Sequence, residues 1–218
     1  MRQLFHNNKL IFILYFLILI FSIAFLVIFG KKDSHFLLTA CHSDLLNDLM
    51  KFFTFLGNGW FMVIVSFLLL FKKIRYGLIM MSSFLISSLF VQILKRFVFA
   101  DWTRPVAWFH DLGIEIYRIE GLEYHSNFSF PSGHSTTAFA LFFGLSFLFK
   151  NDVLKILFFF FAIVTAYSRI YLSQHFLEDA VAGSAIGILS SFLAYSYFMR
   201  LRTDWLDDNI VQLKRKKK

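Results

Sequence analysis

LIFILYFLILIFSIAFLVIF, running from Leu10 to Phe29, decides the fold class, because Ser22 is its one clearly polar member. As a helix this run rises roughly 30 Å, the thickness of a bilayer's hydrocarbon core. It is too long for a signal-peptide core and no small-residue cleavage site follows it, so it reads as an anchor. Five further apolar runs follow, at about Phe53–Phe71, Gly77–Leu94, His134–Phe149, Ile156–Ser168 and Ala180–Phe198. Helix is the local structure that satisfies its own backbone in lipid. The expectation is an all-α bundle of six transmembrane helices, a single membrane domain over residues 1–218, with a long outer loop between the third and fourth helices.

Composition agrees. The chain is 58% apolar and 20% aromatic, against about 45–50% apolar in ordinary soluble domains. The thirty-two phenylalanines read as lipid-facing and packing residues. A lone cysteine, Cys41, excludes an internal disulfide. Lys31, Lys32 and Asp33 separate it from the preceding apolar run, which argues against a lipidation signal. The net charge of +8 is concentrated in a tail, residues 199–218, that ends in Lys214-Arg215-Lys216-Lys217-Lys218. It therefore reads as membrane topology, not nucleic-acid binding. With the N-terminus inside, fourteen of the 22 basic residues fall in inner segments and eight in outer ones. Both termini are thus expected to be cytoplasmic.

The polar residues gather at three helix ends that this topology puts on the outer face: Lys95 with Arg104-Pro105, Pro131-Ser132-Gly133-His134, and Ser168-Arg169 with His175 and Asp179. The positive-inside rule would deplete that face of cations, so an anionic partner is expected there. Pro-Ser-Gly-His opening a helix leaves free backbone N–H groups and the positive end of the helix dipole at one spot, which suits phosphate. Gly133 permits close approach, and the Ser132 hydroxyl is expected to donate to the anion. His175 and Asp179 are four apart and share a face if the last helix begins early. Asp179 would then hold Nδ1–H of His175 and leave Nε2 to attack, with His134 protonating the leaving group. The segment Lys95–Gly133 is the long outer loop, and its alternating stretch Ile114–Glu120 reads as a short strand or an interfacial segment. His6, His35, His42, His110 and His125 read as structural.

These residues, in this order, resemble the type 2 phosphatidic acid phosphatase superfamily over about Met50–Phe198. That family's motifs are Lys, six residues, Arg-Pro; Pro-Ser-Gly-His; and Ser-Arg, five residues, His, three residues, Asp. The second and third match. In the first, eight residues separate Lys95 from Arg104, so either Lys95 or Arg96 fills the basic position. The resemblance implies a metal-independent lipid phosphatase with no cofactor. In it His175 forms a phosphohistidine, Asp179 orients it and His134 is the general acid, while Lys95, Arg104, Ser132, Gly133 and Arg169 hold the phosphate. It also implies substrates such as phosphatidic acid, phosphatidylglycerol phosphate, the phosphates of lipid A or a polyprenyl diphosphate. The site would be reached from the periplasmic face of a bacterial inner membrane, among membrane lipids. Neither nucleic acid nor an obligate protein partner is implied. The alternatives are a lipid phosphotransferase using the same intermediate, or a non-catalytic anion transporter. The transporter reading expects charges deep within the spans, and none stands in the middle of the six runs.

Overall fold

A computed structural model describes residues 2–216, so Lys217 and Lys218 of the basic tail lie outside the described residues. Helices α1 (Arg2–Asn7), α2 (Lys9–Leu38), α3 (Asp44–Phe55), α4 (Gly59–Leu70) and α5 (Ile74–Ile93) form the first half, and α5 continues into a π-helical turn at Leu94–Val98. After a short α6 (Pro105–Asp111) come α7 (Gly133–Leu148), α8 (Asp152–Tyr171), α9 (Leu177–Arg200), a 3₁₀ turn at Asp204–Leu206, and α10 (Ile210–Lys216). No strand occurs among the described residues.

Of the six expected spans, four are full-length apolar helices: α2, α5 with its π extension, α8 and α9. The second expected run is broken. Asn58 caps α4 by accepting the Trp60 N–H at 2.9 Å, and α3 meets α4 at 53°. The break has a packing reason, since a Cβ on Gly57 would lie 2.7 Å from the His134 carbonyl. The sequence Gly57-Asn58-Gly59 was the local signal for it. The fifth run is longer than read, because Asn151 caps α8 at the N–H groups of Val153 and Leu154.

Helix α7 has 16 residues and is the centre of the bundle. Every residue from Ser135 to Phe147 is buried, and α7 packs against α9, α8 and α5. A helix apolar all round belongs in such a place. Surrounded by protein, it need not match the bilayer's thickness. Small residues let α9 come close: a Cβ on Gly183 would meet the Ser132 carbonyl at 2.6 Å, and one on Gly187 would collide with the Thr136 carbonyl. This fit brings the starts of α7 and α9 together, and the Ser132 N–H donates to the Asp179 carbonyl at 2.9 Å.

Helix α2 bends at Gly30, whose φ of +67° and ψ of 177° fall in a region essentially reserved for glycine. The part beyond Gly30 folds over the end of the bundle that carries the three polar clusters. Residues 114–120 form neither strand nor helix. The Ile119 N–H donates to the Tyr124 hydroxyl at 2.9 Å, and the Ile119 side chain joins a small cluster with Met50, Tyr171 and Leu172. Side chains stand beside this stretch, so a ladder has no partner strand.

Candidate active site

One cavity of about 850 Å³ is lined by Lys95, Arg96, Arg104, Gly133, His134, Arg169, Gln174 and His175, with further loop residues. Three chain segments far apart in sequence thus meet at one end of the bundle. The π turn places both Lys95 and Arg96 on this cavity. Lys95 is the buried one and donates from Nζ to the Phe128 carbonyl at 2.6 Å. Arg96 is exposed at the rim. The π turn and the irregular stretch before α6 take up the two extra residues of this segment.

Asp179 and Ser132 stand behind the lining. Asp179, in the first turn of α9, is fully buried. Its Oδ2 lies 3.3 Å from His175 Nδ1 and accepts the Phe176 N–H at 2.9 Å and the Ser129 hydroxyl at 2.5 Å. His175 sits just ahead of α9, in a loop whose Gln174 and His175 N–H groups both donate to the Arg169 carbonyl. Ser132 is the N-cap of α7. Its hydroxyl oxygen accepts from the Ser135 hydroxyl at 2.9 Å and the Ser135 N–H at 3.4 Å, so in this arrangement it faces its own helix and not the cavity. The first-turn N–H groups of Gly133 and His134 take no partner among the described residues. A Cβ at Gly133 would meet nothing within 4 Å, so the approach to these donors is open.

The cations are held by neutral oxygens. Arg104 donates from Nε to the Asn127 carbonyl at 3.0 Å and from Nη1 to Gln174 Oε1 at 3.2 Å. Arg169 donates from Nη1 to Thr54 Oγ1 at 2.6 Å, and its Nε is buried without a partner. Among the described residues no carboxylate forms an ion pair with Lys95, Arg104 or Arg169. Burial, then Arg104, Arg169 and Lys95, hold the His175 imidazole well below its ordinary pKa, so the ring is neutral near pH 7. Burial also lowers Arg104, with Asp179 opposing; the guanidinium stays charged.

Four contributors escaped the sequence reading. Residues 126–129 form a strap: the Ser126 carbonyl accepts the Arg104 N–H, those of Asn127 and Phe128 accept from the Arg104 and Lys95 side chains, and Ser129 bonds Asp179. Gln174 bridges Arg104 to the Glu123 carbonyl. Thr54, on α3, supports Arg169. The fourth is the outer part of α2. Lys31 Nζ lies 3.1 Å from Glu178 Oε1 and 3.9 Å from the Phe176 ring centroid, and His35 Nε2 lies 3.3 Å from Ser173 Oγ. Ser173, Phe176 and Glu178 bracket His175, so α2 clasps the segment that carries it. Only Ser129 had a nearby signal, its place two residues before Pro131.

The pattern of the PAP2 superfamily matches residues 74–203. A lipid A 4'-phosphatase of Porphyromonas gingivalis is 28% identical over 71% of this chain and 68% of its own length. Phosphatidylglycerophosphatase B of Bacillus subtilis is 28% identical over 72% of this chain and 77% of its own. Among solved structures, LpxE of Aquifex aeolicus superposes with a TM-score of 0.67 at 24% identity, covering 77% of this chain and 95% of that one. A PAP2-type phosphatidylglycerolphosphate phosphatase of Bacillus subtilis does so with a TM-score of 0.65 at 24% identity, covering 87% and 96%.

Proposed function

This chain belongs to the PAP2 superfamily, and from that premise we propose that it is a multi-pass membrane phosphatase that hydrolyses a phosphate ester of a lipid through a phosphohistidine. The observation that carries the mechanism is the convergence of the His175–Asp179 pair, His134 and three cations without carboxylate partners on one cavity. Asp179 holds Nδ1–H of His175 and leaves Nε2 as the nucleophile. Nε2 attacks phosphorus, the P–N bond forms, and the P–O bond to the lipid breaks as His134 delivers a proton to the departing oxygen. His134, now neutral, takes a proton from water, whose oxygen attacks phosphorus and releases His175 and inorganic phosphate. Lys95, Arg104, Arg169 and the N–H groups of Gly133 and His134 balance charge on the phosphoryl oxygens in both steps. No step calls for a metal. The Ser132 hydroxyl would serve this set indirectly, by capping the helix whose N–H groups face the phosphate.

The substrate we propose first is a phosphate of lipid A, followed by phosphatidylglycerol phosphate, in line with the names of the relatives. Phosphatidic acid and polyprenyl diphosphate present the same reacting group. We place the site on the periplasmic side of a bacterial inner membrane with both termini inside. The supporting feature is the gathering of Lys72, Lys73, Arg75, Lys150 and Lys155 around the opposite end of α7.

The test offers these lipids to detergent-solubilised full-length protein in excess chelator. Wild type should release inorganic phosphate from at least one, and acid-labile label from a ³²P-lipid should stay on the protein. His175→Ala should abolish both. Undiminished turnover in that variant, or a strict need for divalent metal, removes the mechanism.

A further inference from the structure

A second cavity of about 880 Å³ lies at the other end of the molecule, bounded by α1, the α7–α8 turn, α5 and α9. Phe147 and Leu148, at the C-terminal end of α7, line it, whereas Gly133 and His134 at the N-terminal end line the active-site cavity. Some fourteen residues of helix, roughly 20 Å, therefore separate the two. The distal cavity takes no part in the chemistry above.

Its lining mixes cations, polar groups and apolar side chains. Lys150 and Lys155 supply positive charge, with the exposed His6 beside them. The Lys155 ammonium is buried, and it donates to the Asn7 carbonyl at 2.5 Å and to Asp152 at 2.9 Å. That leaves one of its three N–H bonds for a further acceptor. Among the described residues Asp152 is the one carboxylate on the wall, and it pairs with Lys155, while Lys150 forms no ion pair. Tyr76 and Tyr195 line the cavity, and their hydroxyls carry no hydrogen bond to another described residue. Lys72 stands over the Phe149 ring at the edge, 4.4 Å from its centroid. The rest of the wall is mixed: Gln3, Asn7 and Asn8 are polar, and Leu4, Phe147, Leu148, Phe149 and the half-exposed Met199 are apolar.

Cations, phenols and amides in one cavity with several apolar side chains match an amphiphile that carries an anionic headgroup. A free phosphate ion would occupy a small part of a cavity this size and would leave its apolar side chains against water. We infer that the distal cavity binds the phosphate-bearing headgroup of an anionic membrane lipid, separately from the substrate. Lys150 and Lys155 would face the phosphate, Tyr76 and Tyr195 would donate to its oxygens, and the acyl chains would leave along the apolar side chains.

The experiment is native mass spectrometry of the full chain in detergent, titrated with phosphatidylglycerol or with phosphatidylcholine. This reading expects the first phosphatidylglycerol to bind at least tenfold more tightly than phosphatidylcholine. Lys150→Glu should weaken it about tenfold, leaving phosphatase turnover in lipid-free detergent unchanged. The double change Tyr76→Phe with Tyr195→Phe should weaken it several-fold, and it decides the matter if Lys150→Glu does not fold. Arg169→Gln, in the other cavity, should leave this binding intact, which separates the result from any failure of the catalytic proposal. Equal binding of the two lipids, indifference to both distal variants, or loss in Arg169→Gln would overturn the inference. Displacement of the lipid by inorganic phosphate with the same dependence on Lys150 would mark a free-phosphate site instead, and would overturn it equally.

Discussion

The two ends of α7 hold cations in opposite ways. At the distal end three basic side chains have carboxylate partners: Lys155 with Asp152, and Lys73 and Arg75 with Asp207 at 3.0 and 2.7 Å. Arg75 also donates to the carbonyls of Phe198 and Leu201, fastening the end of α9 to the start of α5. At the active-site end, Lys95 and Arg169 are buried and Arg104 is half-buried, yet they are held only by carbonyls, a hydroxyl and an amide. A buried charge is costly unless paired. Leaving three of them without a carboxylate stores attraction for an anion that arrives later. The carboxylate-paired cations at one end hold the protein together, and the three at the other await substrate.

The largest expected effect breaks this contrast directly. Arg169→Gln should lower kcat/KM by about 10²–10³, the usual scale for losing a group that stabilises developing charge, while the melting temperature stays level or rises as like-charge repulsion is relieved. Arg75→Met should do the reverse. It strands two carbonyls and leaves Asp207 with Lys73 alone, costing roughly 1–3 kcal/mol of stability, with turnover per folded molecule unchanged. Steady-state kinetics beside thermal unfolding checks both. A stability loss in Arg169→Gln as large as that in Arg75→Met would erase the distinction between the two ends.

Smaller effects sharpen the account of how the histidine is held. Asp179→Asn should slow the reaction by about 10²-fold, since the amide disturbs the tautomer that leaves Nε2 free. Ser129→Ala should cost less, about tenfold, because Asp179 keeps the Phe176 N–H and the histidine as partners. The loss should fall on kcat with KM little changed, as expected for a residue acting through another. A pure KM effect would place Ser129 in substrate binding instead.

The sequence carried the three clusters because each is a local pattern: a Pro-Ser-Gly-His turn before an apolar run, a His four residues before an Asp, and cations where the topology would exclude them. Their meeting in one cavity also followed from counting helices and ends. What stayed illegible depends on the third dimension. Nothing local to Thr54 says that it will reach Arg169, and His35 was read as structural and Lys31 as a break after the apolar run, neither as a clasp on the segment around His175. The Ser126–Ser129 strap acts mainly through backbone carbonyls, which any sequence could supply. Ser132 was read from its hydroxyl alone; the competing demand was the helix's own first turn. The break in the second run was missed because apolar content was weighed above Gly57-Asn58-Gly59, where contact with α7 needs it.

The finest comparison is in acid, where the two ends titrate differently. At the active-site end, His175 is held neutral by burial and by cations, so the acid limb of kcat/KM that belongs to the nucleophile should lie well below pH 6.5. In Arg104→Gln one repulsive charge is gone and the imidazolium is less disfavoured, so that limb should move up toward 6.5 in whatever activity remains. The same substrate contributes the same phosphate titration to both profiles, so their difference isolates the histidine. At the distal end, bonds from Arg75 and Lys73 hold Asp207 down to about 2. Its contribution to stability is therefore complete above the ordinary carboxylate range and is lost as pH falls through about 2. The carboxylate is half exposed, so the effect on unfolding should be slight, and Asp207→Asn should flatten it. Acid denaturation of wild type and Asp207→Asn, beside the two rate profiles, tests whether each end responds by itself. A shift of the kinetic limb in Asp207→Asn would mean that the two ends communicate through α7.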